Sequence, residues 1–371
     1  MLIGLNLLPL RPGVGGSFNY VDMLIAALAR YDHENEYAAF VTAYSKPMIP
    51  QQVNFRVIEL RGSFAGKSAR VLYENSLLPS AIRRAGVDCV HHVFGTLPFP
   101  GGTKSVVSIY DLMDLARPGD FGPVKRAYLR VMRHRAARRA TILAPMSHAT
   151  ADDLHRRFGV PFDRMEIVPP AIEPRFARQP DESIDRFRQH HGLPREFWLS
   201  VAGGLPHKNY PRLIAAFADL RRRHPDGWPL VIRGEPTPEL VALIERHAVT
   251  DRVSFMPRLP AGEMPLLFSA ASALVFPSLF EGGGIPVMEA MACSCPVVAS
   301  SIPSVIEFAG DAALMFDPTD TGEITGAMHD CEEQRGPRDE RVRVGLVAVS
   351  RLAPEHVAAA CMRAYARALR G

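Results

Sequence analysis

No apolar run in the 371 residues is long enough to cross a bilayer, and the opening Met1-Leu-Ile-Gly-Leu-Asn6 lacks the basic region and cleavage site of an export signal. The expected location is therefore the cytoplasm. Cysteine is sparse: Cys89, Cys293, Cys295, Cys331 and Cys361 are odd in number and scattered, which excludes a disulfide framework and a zinc spacing. Cys293 and Cys295 are expected to pack as small apolar residues. Net charge is nearly absent at +4, which argues against a general nucleic-acid binder but permits a local basic surface. Low-complexity tracts and solenoid repeats are missing too. One absence is local: residues 121–151 contain no acidic side chain.

What is present starts with length, which exceeds one ordinary core and favours two domains. Leu2–Leu7, the turn Pro12–Gly16 and the helical spacing of Phe18–Leu28 read as strand, glycine turn and helix. Phe197–Ala202, the turn Gly203–Asn209 and Leu213–Leu220 restart the same way, so two doubly wound α/β units are expected. Further strands are expected at Tyr37–Thr42, Val53–Leu60, Cys89–Val93, Ser105–Ile109 and Thr141–Ala144. In the second half they fall at Leu230–Arg233, Val253–Met256, Leu274–Pro277 and Val297–Ala299. The proline-rich stretch Pro169–Pro180 is the linker candidate. It sets domains at 1–175 and 176–353, with a strong terminal helix over 354–371.

Chemistry concentrates in Glu281-Gly-Gly-Gly-Ile-Pro-Val-Met-Glu289. Gly282, Gly283 and Gly284 let backbone approach a ligand, Pro286 suits the first position of a helix expected over Pro286–Cys293, whose unpaired N–H groups attract an anion, and a diphosphate fits there beside Ile285. Glu281 and Glu289 would repel phosphate without metal, but each can accept two hydrogen bonds from sugar hydroxyls. Two glutamates at this spacing also arise by chance, and an acid near a helix start is ordinary dipole compensation. Lys208, in the turn after a strand, can meet a diphosphate, or be an ordinary solvated lysine. Asp111 and Asp114 are isolated carboxylates without a third ligand, so no metal is expected. Neither glycine turn fits G-x-G-x-x-G with an acid on the next strand, which disfavours a dinucleotide oxidoreductase.

Glu-Gly-Gly-Gly-Ile-Pro-x-x-Glu between two strands resembles the Glu-x7-Glu signature of retaining glycosyltransferases of the GT-B class. The Gly15-Gly16 turn, Asp111, Ser147 and the Lys208-Asn209 turn extend the resemblance over nearly the whole chain. It implies two facing Rossmann-like domains with the site in the cleft between them, and a terminal helix that returns to the first domain. It also implies roles: Lys208 on the donor diphosphate, Glu289 on the ribose, Glu281 on the transferred sugar, and Gly15 and Gly16 near the diphosphate. His207 stands where relatives carry arginine, with Arg233 as a replacement cation, and the loop holding Arg258 covers the nucleobase. Tyr110 stands where a donor-contacting histidine is usual, so either its hydroxyl or Asp111 with His91 or His92 supplies that contact. The implied mechanism is same-face transfer without metal or cofactor, with Glu281 as covalent nucleophile the weaker variant. Details resemble bacterial enzymes of polysaccharide and O-antigen assembly, with GDP-mannose the first guess for the donor and a glycan or lipid-linked acceptor.

Two other readings remain open from sequence: a non-catalytic sugar-nucleotide or glycan binder, suggested by His207 and Tyr110, and a phosphorylase or epimerase on a related scaffold. Seven basic residues, Lys125, Arg126, Arg130, Arg133, Arg135, Arg138 and Arg139, form either the solvated face of a helix packed through Leu129, Met132, Ala136 and Ala140, or a peripheral contact of residues 125–139 with anionic lipid.

Overall fold

The computed structural model describes all residues except 12–15, 61–66, 100–101, 202–204 and 371. The chain divides into two compact units, Met1–Ala171 with Leu352–Gly371, and Ile172–Arg351.

In the first unit the strands are β1 (Leu2–Asn6), β2 (Glu36–Val41), β3 (Phe55–Glu59), β4 (Cys89–His92), β5 (Lys104–Ile109) and β6 (Ile142–Pro145). They form one parallel sheet in the order β3-β2-β1-β4-β5-β6. A parallel sheet covered by helices buries both faces of its strands, and Tyr37–Val41 is accordingly buried without alternation. Ala38, Phe40 and Val90 pack on Leu78 and Ile82 of the helix Leu78–Ala85. Val107, Ile109 and Leu143 pack with Ala136 of the helix Pro123–Arg139 and Leu154 of the helix His148–Phe158. Ser147 caps the latter by accepting from the Thr150 N–H at 3.1 Å, and Gly159 ends it in the left-handed region.

The stretch Arg338–Arg370 is, by length and composition, apolar enough to cross a membrane, which corrects the expectation that no such run exists. A turn at residues 351–352 breaks it into the helices Arg335–Ser350 and Pro354–Arg370, of 16 and 17 residues. Packing explains the apolar composition of the second: Val357, Cys361, Ala364 and Tyr365 are buried, and the helix belongs to the first unit. Tyr365 Oη lies 2.9 Å from His91 Nδ1, and Lys104 Nζ donates to the Leu369 carbonyl at 2.6 Å.

The second unit holds β7 (Trp198–Val201), β8 (Leu230–Arg233), β9 (Val253–Met256), β10 (Ala273–Phe276), β11 (Val297–Ser300) and β12 (Ala313–Phe316), in the parallel order β12-β11-β10-β7-β8-β9. Strand β12 was not expected, because Ala313-Leu-Met-Phe316 lacks β-branched residues; pairing with β11 from Val297↔Ala313 to Ser300↔Phe316 decides its state. The core gathers Trp198, Phe217, Leu230, Val275 and Val298. At its edge Glu332 accepts from Trp198 Nε1 at 2.6 Å and pairs with Arg221 at 2.7 Å, both charges nearly buried.

Each sheet reverses its order at the centre, between β1 and β4 and between β7 and β10. In open α/β sheets ligands bind at the carboxyl ends of the strands flanking such a switch point.

Candidate functional site

The turn after β7 and the loop after β10 meet at the switch point of the second unit. Lys208 lies in the helical turn Pro206–Lys208, and the next residue, Asn209, sits at φ 60°. That conformation is uncommon for a residue with a Cβ. Asn209 is held in it by donating from Nδ2 to the Pro277 carbonyl at 3.1 Å and the Pro318 carbonyl at 2.7 Å. Leu279 N–H donates to the His207 carbonyl at 2.8 Å, which fastens the turn to the opposite loop.

Across this crevice Lys208 Nζ donates to Glu281 Oε1 at 2.6 Å, and His207 Nε2 lies 4.0 Å from the same oxygen. Both charged groups keep slight access to solvent, at 16 % and 15 % exposure. Lys208 Nζ also stands 5.1 Å from the centre of the Phe276 ring. The main chain at Glu281 is fixed separately, because Ser304 Oγ donates to its carbonyl at 2.8 Å.

Gly282, Gly283 and Gly284 are buried behind Glu281. Gly284 starts the helix Ile285–Ala292 at φ +66°, where an added Cβ would stand 3.2 Å from Val305 Cγ2, so glycine is required. Pro286 in the first helical turn has no N–H to satisfy, and the Val287 N–H donates to the Gly284 carbonyl at 2.8 Å.

Glu289 is on the same helix and is 8 % exposed. Burial pushes its carboxyl up to about 8, against the attraction of Arg175 and Arg233 and with the help of Glu173. The group is therefore mostly protonated at neutral pH. Arg233, at the end of β8, is itself lowered by burial and by Arg258, and its Nε is buried without a hydrogen-bond partner among the described residues. Lys208, His207, Glu281 and residues 282–285 thus form one cluster, and Arg233, Arg258 and Glu289 a second, electrically coupled one. Together they offer cations, a helix start and two carboxyl groups.

In the first unit Tyr110 Oη donates to the Val93 carbonyl, and its ring packs edge-on to Tyr20 at 4.8 Å. Asp111 Oδ1 accepts from the Met113 N–H at 3.0 Å. His91 is buried between Tyr365 and Ser108 Oγ, the latter at 2.8 Å. Gly16 begins the helix Gly16–Tyr31, while Gly15 lies outside the described residues. Of the seven basic residues, Arg133 and Arg135 turn inward rather than joining a solvated face: Arg133 donates to the Gly95 carbonyl at 3.2 Å, and Arg135 to that of Leu97 at 3.0 Å. The outer part of that helix exposes Val124 and Val131 beside Lys125, Arg126 and Arg130.

Sequence reasoning missed Arg175 and Glu173, which belong to the proline-rich linker yet set the charge around Glu289. No periodicity marks them; only the basic-acidic pair inside a segment without helix or strand spacing stands out. Among the described residues no group of three or more His, Cys, Asp or Glu side chains is placed to hold a metal ion.

Residues 14–176 match the model of Glycosyltransferase Family 4, and residues 181–345 match that of Glycosyl transferases group 1. The chain is 26 % identical over 267 residues to O-antigen chain mannosyltransferase B of Escherichia coli, covering 71 % of this chain and 70 % of that one. It is 25 % identical over 233 residues to O-antigen chain mannosyltransferase RfbU of Salmonella typhimurium, covering 62 % and 61 %. In fold it is similar to sucrose-phosphate synthase from Thermosynechococcus elongatus, with a TM-score of 0.79 at 18 % identity over 99 % of this chain and 98 % of that one.

Proposed function

From membership of the GT-B glycosyltransferases, to which this chain belongs with a family 4 first half and a group 1 second half, we propose that it transfers mannose from GDP-mannose to a hydroxyl of a growing surface glycan. The observation that carries this is the crevice between β7 and β10, where Lys208 and Glu281 face one another beside the glycine-lined helix start. Lys208 and the amides of residues 282–285 take the donor diphosphate. Glu281, released from Lys208, accepts hydroxyls of the transferred sugar, and Glu289 those of the ribose. Arg233 and Arg258 flank the nucleoside, and His207 adds a donor near the sugar or phosphate. Tyr110, Asp111 and the Gly15-Gly16 turn contribute from the first unit.

The transition state carries positive charge on the sugar and negative charge on the departing diphosphate. Fixed cations and backbone dipoles stabilise the latter. A protein nucleophile is not required if the acceptor enters on the face the leaving group vacates, its proton passing to a phosphate oxygen. The product then keeps the anomeric configuration of the donor, and neither metal nor cofactor takes part.

The two O-antigen mannosyltransferases support mannose and a glycan acceptor. Exposed Val124 and Val131 among Lys125, Arg126 and Arg130 support a peripheral contact with anionic lipid on the cytoplasmic face, worth on the order of 1 kcal/mol per basic residue. Incubation with GDP-mannose, chelator and a mannose-terminated acceptor, read by mass and by the NMR coupling of the new anomeric proton, tests the whole proposal. A product of added hexose with retained configuration is expected. Inverted configuration rejects the mechanism; bound nucleotide without any product favours a non-catalytic binder.

A further inference from the structure

At the switch point of the first sheet Asn6 ends β1 and His92 ends β4, paired directly across the strands. The Asn6 amide is oriented by its surroundings: Oδ1 accepts the Leu8 N–H at 3.4 Å, which turns Nδ2 toward Glu74 Oε1 at 3.3 Å and His92 Nδ1 at 3.2 Å. An amide nitrogen donates and does not accept, so His92 Nδ1 carries no proton. Burial keeps the ring neutral by driving its pKa down to about 3, which leaves the one ring proton on Nε2.

Glu74, from the helix Lys67–Ser76, is 2 % exposed, and its neighbouring cation Arg70 is no closer than 3.7 Å. A carboxyl in such a place is costly to bury. Burial raises its pKa, and its hydrogen bond goes to the Asn6 amide, which in turn fixes His92.

His92 Nε2 takes no partner among the described residues, and His92 lines a cavity of about 300 Å³. Leu78, Ile82 and Leu97 supply apolar wall, and the exposed Arg83 adds a charge. A hollow of mixed lining, which also includes Thr103 and in which the Asn6 amide fixes the His92 donor, suits a ligand with both apolar and polar surface.

We propose that Glu74 is a positioning residue which, through Asn6, holds His92 as the Nε2–H tautomer, and that His92 donates this proton to an oxygen of the acceptor in a subsite of the first unit. The proposal rests on the transferase reading for the identity of its ligand. That oxygen belongs to a sugar hydroxyl or to a phosphate, and the two are separated by experiment.

Nitrogen NMR of the full chain labelled in histidine reads the tautomer directly. Wild type and Glu74→Gln show a protonated Nε2 and a bare Nδ1, whereas Glu74→Leu mixes the tautomers. Methyl α-mannopyranoside shifting the His92 signals identifies a sugar oxygen; inorganic phosphate shifting them, with loss of the effect in Arg83→Gln, identifies a phosphate oxygen. In turnover, His92→Phe and Glu74→Leu raise the acceptor KM by about tenfold, the scale of one hydrogen bond, Glu74→Gln restores it, and the donor KM stays put. Stabilisation of Glu74→Leu by donor nucleotide shows that it remains folded. A proton on Nδ1 in the wild type, no shift with either probe, or equal changes in both KM values overturns the proposal. Should the chain transfer no sugar at all, the tautomer and the two titrations still decide it.

Discussion

Replacing Glu289 by Gln keeps the shape and hydrogen-bonding capacity of the side chain but removes its titration. The carboxyl stands at about 8 in the folded chain against 4.5 for an ordinary glutamate. Between those values the native state holds a proton that the unfolded state has released, so the contribution of Glu289 to stability falls as pH rises through that window and levels off above it. The gap of roughly 3.5 units, at 1.36 kcal/mol each, sets an upper figure of about 5 kcal/mol. Glu289→Gln should therefore gain on the wild type steadily from pH 5 to pH 8, by several kcal/mol, in urea unfolding without ligand. Nucleotide binding should run the other way. If ribose hydroxyls select the ionised form, about a tenth of the wild type is competent at pH 7 and about nine tenths at pH 9, so affinity rises roughly tenfold. The variant should show a flat profile and weaker binding. Parallel pH profiles of stability for the two proteins would refute the placement of a costly buried carboxyl here.

Lys208→Met removes the lysine paired to Glu281 and should weaken nucleoside diphosphate binding about 10- to 100-fold, the scale of one charge-assisted hydrogen bond, while leaving the free nucleoside unaffected in calorimetry. Arg221→Ala leaves the Glu332 carboxylate buried beside Trp198 and should cost about 3–5 kcal/mol in urea unfolding, without changing donor affinity at a temperature where the variant is folded. In Gly284→Ala a Cβ meets Val305 at positive φ, so a loss of about 1–2 kcal/mol in stability is expected, with weaker donor binding as the helix start shifts. Neutralising Lys125, Arg126 and Arg130 together should reduce sedimentation with phosphatidylserine vesicles by about two decades, since each contributes about 1 kcal/mol near such a surface.

Much of the second unit was legible because its signals are local. The run from Glu281 to Glu289 announces loop and helix by glycine, proline and flanking strands, and the helix indeed spans Ile285–Ala292. Strand β12 was not legible, since Ala313-Leu-Met-Phe316 acquires its state from β11 rather than from its own residues. The same holds for the inward turn of Arg133 and Arg135, whose partners are carbonyls of residues 95 and 97, far away in sequence. The ionisation of Glu289 could not be read either, because it depends on burial and on Arg175 and Glu173 from a linker without pattern. Asn6, Glu74 and His92 are likewise ordinary residues in sequence, joined only by the register of β1 with β4 and the placement of one helix.

The most direct test of a donor site built around Lys208, Glu281 and Glu289 is the thermal shift of wild type and Glu289→Ala with GDP, UDP, ADP and dTDP and their common sugar conjugates. Ligand at about 100 times its dissociation constant adds roughly 2.7 kcal/mol to the native state, enough to read. The expected result is stabilisation by one base above the others, GDP first, with the effect lost in the variant. Stabilisation by none of them, or by all alike in both proteins, would contradict the account.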